Sequence, residues 1–350
     1  MELETLLIEL SNTPGISGFE APIRARLEAE WRDLADTLHT DALGSLIATR
    51  HGDGPDPRPR VMIAAHMDEI GLIVTRVEGA FLRFRNVGGV DRRVLLSQPV
   101  VVHGKEDLPG LIGSRPPHVL STDARKSYPE YDDLVIDTGL PAQRLAALVQ
   151  VGTPVSFAPN ATGFGDGLVT GKALDNRASL AAATLLLRKL RRCHHAWDVQ
   201  IAATVQEEVG LKGAETAAWR ERPDLAVALD TTWATGVGVN DDKGFKLGGG
   251  LSLGIGPNAH PGLYDLLVQI ADDLEMKLHP EPMERSSGTD GWAIQVSREG
   301  VPVAIVSIPI RNMHMPVEIV ALKDIRRAAH LLAAFVCGLD DQTMRRLALG

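Results

Sequence analysis

Apolar residues recur at helical spacing over Glu2–Leu10 and again over Glu20–Leu34, and the Asn12-Thr13-Pro14-Gly15 turn separates the two runs. A polar, proline-rich loop (GDGPDPRPR) then leads into Val61-Met62-Ile63-Ala64-Ala65. So short an unbroken apolar run predicts a strand buried on both faces, the habit of parallel sheets. From about Gly71 to Pro159 the texture changes. Short β-rich runs (GLIVTRV, FLRFRNV, PVVVHG, LVIDTG and TPVSF) stand between Gly and Pro, which predicts a small all-β barrel or sandwich. One long polar loop there, RPPHVLSTDARKSYPEYDD, has the length to reach another surface.

Beyond Phe164 the pattern alternates. It predicts a helix over Ala178–Leu190, strands over Val199–Val205 and Leu225–Leu229, a helix over Gly262–Leu274, a strand over Val301–Ile310 and a last helix over Leu322–Cys337. The whole reads as a three-layer α/β sandwich with a mostly parallel sheet. Residues 1–69 and 164–350 make the principal unit, interrupted by a barrel-like all-β insertion over 70–163.

Composition narrows the function. Hydrophobic content of 44% with 23% charged residues is that of a globular chain with a sizeable core. No uncharged apolar run reaches the ~18 residues of a membrane span, and MELETLLIELSN lacks the basic and apolar segments of a secretory leader. A net charge of −9 disfavours nucleic acid and anionic membrane as partners. Aromatic content of 4% disfavours a platform for stacking bases or sugars. Two distant cysteines, Cys193 and Cys337, form neither a disulfide framework nor a thiolate zinc site; they read as buried packing residues in a cytoplasmic protein.

The chemistry gathers where buried strands stop. VMIAA is followed at once by His66-Met67-Asp68, VQIAATV by Gln206 and then Glu207-Glu208, DLAVAL by Asp230, and SIPI by Arg311-Asn312-Met313-His314. Open α/β sheets bind ligands at the carboxyl ends of their strands, so these segments deliver histidines and carboxylates to one rim. Asp175 joins them from the turn before the Ala178 helix. Such nitrogen and oxygen donors suit zinc, and cobalt or manganese as alternatives. Five ligands over-supply one tetrahedral ion, whereas a carboxylate bridging two ions uses all five. Asp175 is assigned as that bridge because its polar, glycine-containing flanks let it stand between the others. Asp68, two residues after His66, projects from the same strand face and is placed to accept that ring's other N–H. Glu208 is assigned to metal and Glu207 to proton transfer, although spacing alone permits the reverse. Taken singly, each residue has a plainer reading: HxD as a surface pair, EE as a solvated helix face, Asp230 as a helix cap. Their convergence carries the argument. His194 and His195 read as partners of a helix C-terminus, and His118 as a solvated loop histidine.

The segments AAHMDEIGLIV, GDGLVTGKALDNRAS, ATVQEEVGLKGA, AVALD, SSGTDGWAIQ and NMHMPVEIV resemble the tetrahedral (TET) aminopeptidases among the dinuclear metallopeptidases, in order, over about 14–333. The resemblance implies that His66, Asp175 and Asp230 hold one divalent ion, that Asp175, Glu208 and His314 hold the other, that Glu207 is the general base and that Asp68 supports His66. It implies that the insertion serves dimerisation and that dimers close into a twelve-subunit shell acting on peptides. It also places Gly288, Thr289 and Asp290 at the substrate pocket, although from sequence alone they read equally as a helix start with an acidic first turn. Met315 stands where the family usually has a small Ser after the last ligand, which implies a reshaped wall beside the first substrate residue. Rival expectations are a related dinuclear carboxypeptidase or deacylase, an endoglucanase, and a non-enzymatic metal-stabilised shell.

Overall fold

The computed structural model describes residues 1–119, 121–122, 126–239 and 244–348. An eleven-stranded sheet runs in the order Thr37–Thr40, Leu46–Arg50, Asp198–Thr204, Arg60–His66, Leu225–Trp233, Val303–Arg311, Glu318–Ala321, Leu168–Gly171 and Thr162–Gly163, with Leu251–Ile255 and Leu278–Pro282 branching off Val303–Arg311. The four central strands, Asp198–Thr204 through Val303–Arg311, are parallel to one another. They carry the unbroken apolar runs because helices cover both of their faces. One face packs against the helices Leu3–Asn12, Ala21–Trp31, Leu174–Leu190, Pro261–Asp273 and Leu322–Cys337, and the other against Lys212–Glu221 and Asp290–Gln295.

Trp31 shows how tightly the first of these layers is built. It is fully buried, and its indole N–H donates to Thr184 Oγ1 at 2.9 Å. Trp31→Ala removes a large core ring and leaves that hydroxyl short of a partner. The expected loss is about 3–5 kcal/mol of unfolding free energy, read by denaturant titration.

The insertion is a closed antiparallel barrel in the order Gly71–Glu78, Phe81–Val87, Leu134–Asp137, Asp107–Ser114, Pro99–His103 and Pro154–Phe157. It has its own core, including Leu72, Val74, Phe84, Val102 and Ile136. Residues 120 and 123–125 of its long polar loop lie outside the described residues; His118 in that loop is exposed.

Local departures from the sequence reading have local causes. The Leu225 strand continues to Trp233, because the β-branched Thr231 and Thr232 extend it past the apolar run, so Asp230 lies within the strand rather than beyond it. The strand before the paired glutamates stops at Thr204, and Gln206 adopts a left-handed φ of 56° that turns the chain. His194 and His195 follow a helix that already ended at Leu190; His194 pairs with Asp53 and His195 with the Trp197 carbonyl. Cys193 is only partly buried and Cys337 is exposed, contrary to the expectation of buried packing. No helix among the described residues is long and apolar enough to cross a membrane.

Candidate metal centre

His66 ends its strand beside Thr204, and Asp230 lies on the neighbouring parallel strand, so two strand edges meet here. His66 Nε2 lies 3.3 Å from Asp175 Oδ1 and 3.8 Å from Asp230 Oδ1. On the other side, His314 Nε2 lies 3.4 Å from Asp175 Oδ2 and 3.5 Å from Glu208 Oε1. The two oxygens of Asp175 therefore face two different imidazoles. Asp175 holds this position because the backbone at Asp175 and Asn176 leaves helical geometry within an otherwise regular helix; their peptide bond is cis. His314 sits in a tight turn with φ 61°.

Donor atoms of His66, Asp175 and Asp230 lie within 4.8 Å of one another, as do those of Asp175, Glu208 and His314, and those of His66, Glu207 and Glu208. Asp175 Oδ1 is buried without a hydrogen-bond partner. Burial pushes the Glu207 carboxyl up to about 10 against the pull of His66, with Asp230, Asp290 and Glu208 adding repulsion. Burial and the Asp175 charge raise Glu208 to about 7. Burial is likewise what drives Asp230 well above the usual carboxylate range. The hydrogen bond to Asp175 lifts His314 to about 9. Asp175 itself is held low: burial opposes its ionisation, but the two imidazoles prevail. Buried carboxylates crowded around two imidazoles lack compensating positive charge. The orphaned Asp175 oxygen and the all-nitrogen-and-oxygen donor set fit divalent cations.

Asp68 contributes differently from the period-two argument, because the strand ends at His66. His66 Nδ1 lies 3.1 Å from the Asp68 carbonyl oxygen and 3.6 Å from its Oδ1. The Asp68 carboxylate accepts the Glu207 N–H at 3.0 Å, the Glu208 N–H at 3.2 Å and the Ser17 hydroxyl at 2.6 Å. One buried carboxylate thus fixes the paired-glutamate turn to the His66 strand.

Sequence reasoning missed several supports. Glu318 Oε2 accepts the Asp175 N–H and its Oε1 accepts the His314 N–H, both at 2.9 Å, so it ties the two oxygen- and nitrogen-bearing turns together. It stands in the quoted NMHMPVEIV segment, four residues past His314, and that proximity was the available signal. The fully buried Lys172 donates to Glu69 Oε2 at 2.7 Å, while Glu69 Oε1 accepts the Gly15 N–H. The insertion reaches the site too: a Cβ built on Gly89 would fall 2.8 Å from His314 Nδ1, and one on Gly88 would fall 3.4 Å from the Glu208 Cβ. At Gly89 only glycine allows the backbone so close to His314, and Gly88 holds a left-handed φ of 74° that favours glycine.

A cavity of about 490 Å³ opens over the cluster, lined further by Leu211, Thr232, Trp233, Glu281, Gly288, Thr289 and Met313. Gly288 and Thr289 face it, whereas Asp290 is buried beneath, accepting the Thr204 hydroxyl at 2.5 Å. Met313, not Met315, forms that part of the wall.

A family model described as M42 glutamyl aminopeptidase matches residues 44–331. The lysyl aminopeptidase of Pyrococcus furiosus is 35% identical over 341 residues, covering 95% of this chain and 96% of that protein. The structure of a TET aminopeptidase from a marine sediment archaeon of the Thaumarchaeota superposes with a TM-score of 0.93 at 32% identity, covering 99% of each chain. The TET1 peptidase of Pyrococcus horikoshii, which can assemble into a tetrahedron or a large octahedral shell, gives a TM-score of 0.85 at 32% identity over 97% of this chain and 100% of that one.

Proposed function

The chain belongs to the M42 glutamyl aminopeptidase family of peptide hydrolases, and from that premise we propose that it removes N-terminal residues from peptides using two divalent metal ions. The observation that carries this reading is the Asp175 carboxylate, whose two oxygens address two separate donor sets. His66, Asp175 and Asp230 hold one ion; Asp175, Glu208 and His314 hold the other. Zinc is the first expectation, and the same donors accept cobalt or manganese. Such a pair, when bound, supplies Lewis acidity that polarises the scissile carbonyl and makes water acidic enough to ionise near neutrality.

The chain's own groups do the rest. Asp68 orients the His66 ring through Nδ1 and anchors the backbone of Glu207. Glu207 accepts the proton of the attacking water and returns it to the leaving amine. Residues 1–69 and 164–350 form the catalytic unit, and the barrel over 70–163 is the dimerisation module. Dimers close into a tetrahedral dodecamer; a tetrahedron is one of the two assemblies named for the Pyrococcus horikoshii relative. Light scattering then reads twelve times the 37.7 kDa chain mass.

Chelation tests the reading directly. Metal-free protein is expected to lose turnover of aminoacyl-p-nitroanilides, to recover it on repletion with zinc, cobalt or manganese, and to ignore N-acetylated analogues. Hydrolysis of N-acetylated peptides in preference to free amines would instead identify a deacylase or carboxypeptidase.

Metal uptake should also release protons. In the metal-free protein Glu208 titrates near 7 and His314 near 9, and both must be deprotonated to act as ligands. Metal affinity therefore rises as pH rises from 6 to 9. Calorimetry in buffers of different ionisation enthalpy should find net proton release at pH 7, and uptake without release would contradict the assignment.

A further inference from the structure

We infer that Glu281 reads the side chain of the substrate's first residue and selects lysine or arginine there; this rests on the aminopeptidase reading above. Glu281 lies on the strand Leu278–Pro282, half-buried at the wall of the cavity over the metal centre. Its Oε1 accepts the Thr232 hydroxyl at 2.6 Å and its Oε2 accepts the Ser252 hydroxyl at 2.5 Å. Both hydroxyls belong to buried residues, so the carboxylate is held in one orientation. Hydroxyls orient a charge without cancelling it. Among the described residues no Lys, Arg or His nitrogen lies within 4.0 Å of Glu281.

The other charged groups of the cavity (His66, Asp175, Glu207, Glu208, Asp230 and His314) all belong to the ligand sets or to proton transfer. Glu281 is the charged group left without a task there. A carboxylate oriented in this way, with no cation beside it, is placed to pair with a cationic ligand through a charge-assisted hydrogen bond.

Its position suits a side chain rather than the reacting bond. Thr232 follows Asp230 by two residues on one strand and projects to the same face, about 7 Å further along. The Glu281 carboxylate, bonded to Thr232, therefore stands one side-chain length from the metal ligands. A lysine whose backbone sits over the ions can extend its four-carbon stem along this wall and place its ammonium against Glu281. Leu211 and Met313 give the cavity apolar surface on which such a stem packs. An N-terminal glutamate would meet like charge at the same point, and a leucine would leave the carboxylate unpaired.

The test compares Lys-, Arg-, Leu- and Glu-p-nitroanilides on the metal-loaded wild type and on Glu281→Gln. The wild type should favour Lys and Arg over Leu by about 10- to 100-fold in kcat/KM, the range of a hydrogen bond to a charged group. Glu281→Gln should erase that preference, with Lys and Arg turnover falling to the Leu level, while metal content stays at the wild-type value. A wild type that prefers Leu or Glu, or a variant in which all four substrates fall together, overturns the proposal; the latter result would make Glu281 a reader of the α-amine. Binding supplies a second measurement, independent of turnover. Calorimetry with L-lysinamide and L-norleucinamide should show lysinamide tighter on the wild type and the two equal on Glu281→Gln. Were no p-nitroanilide cleaved while this binding difference held, the hydrolase reading would fall and the cation pocket would stand. Equal binding to the wild type would remove the pocket whatever the turnover.

Discussion

Glu207→Gln keeps both metal equivalents and lowers kcat by about 10²- to 10⁴-fold, the usual contribution of a positioned general base. The two donor sets that share Asp175 do not include Glu207. Its backbone N–H is fixed by Asp68, a contact that the amide substitution leaves intact. What disappears is a carboxyl able to take up and release a proton beside the cluster. Because the ligand sets persist, KM should move far less than kcat, and metal analysis should remain at the wild-type value. A variant with near wild-type kcat would transfer proton transfer to another group. Loss of one metal equivalent would instead exchange the roles of Glu207 and Glu208, which adjacency alone permits.

Asp175→Asn strikes the metals themselves. One amide oxygen remains, but the NH₂ now faces one of the two imidazoles, so the side chain cannot serve both donor sets. Metal content should fall from two equivalents to one or fewer, and peptide turnover should fall with it. Two full equivalents in this variant would contradict a bridging role.

The metal-free protein responds as well. Asp175 titrates below its ordinary value of 3.8 and so stabilises the fold above that pH. His314 titrates near 9 instead of 6.5, so its contribution is complete below 6.5 and is lost as pH rises through 9. Metal-free Asp175→Asn should accordingly show its greatest loss of Tm relative to metal-free wild type between about pH 4 and 6.5, narrowing toward pH 9.

Much of the sheet was legible because burial on both faces leaves unbroken apolar runs such as VMIAA and VQIAATV, and turn residues mark their ends. The residues just past those runs come together because parallel strands present their carboxyl ends to one rim. The illegible parts are those set by contacts between distant segments. Nothing local to Ser17 tells that its hydroxyl reaches Asp68, 51 residues on. Glu281 looks like one more acid in a polar stretch, and its bonds to Thr232 and Ser252 exist only after three strands assemble. Asp68 was read through strand periodicity, yet it works from beyond the strand, through its carbonyl and through the amides of a remote turn. Boundaries slipped where β-branched residues prolonged a strand, as at Thr231 and Thr232.

The closeness of Gly88 and Gly89 to Glu208 and His314 has an architectural consequence. The barrel is not a detachable appendage: excising it to make a smaller protein would leave the His314 imidazole unbacked on the side that Gly89 now covers. Any neighbour that docks on the barrel and tilts it leans on that same imidazole. Barrel and rim in this way touch directly at two residues that have no side chains at all.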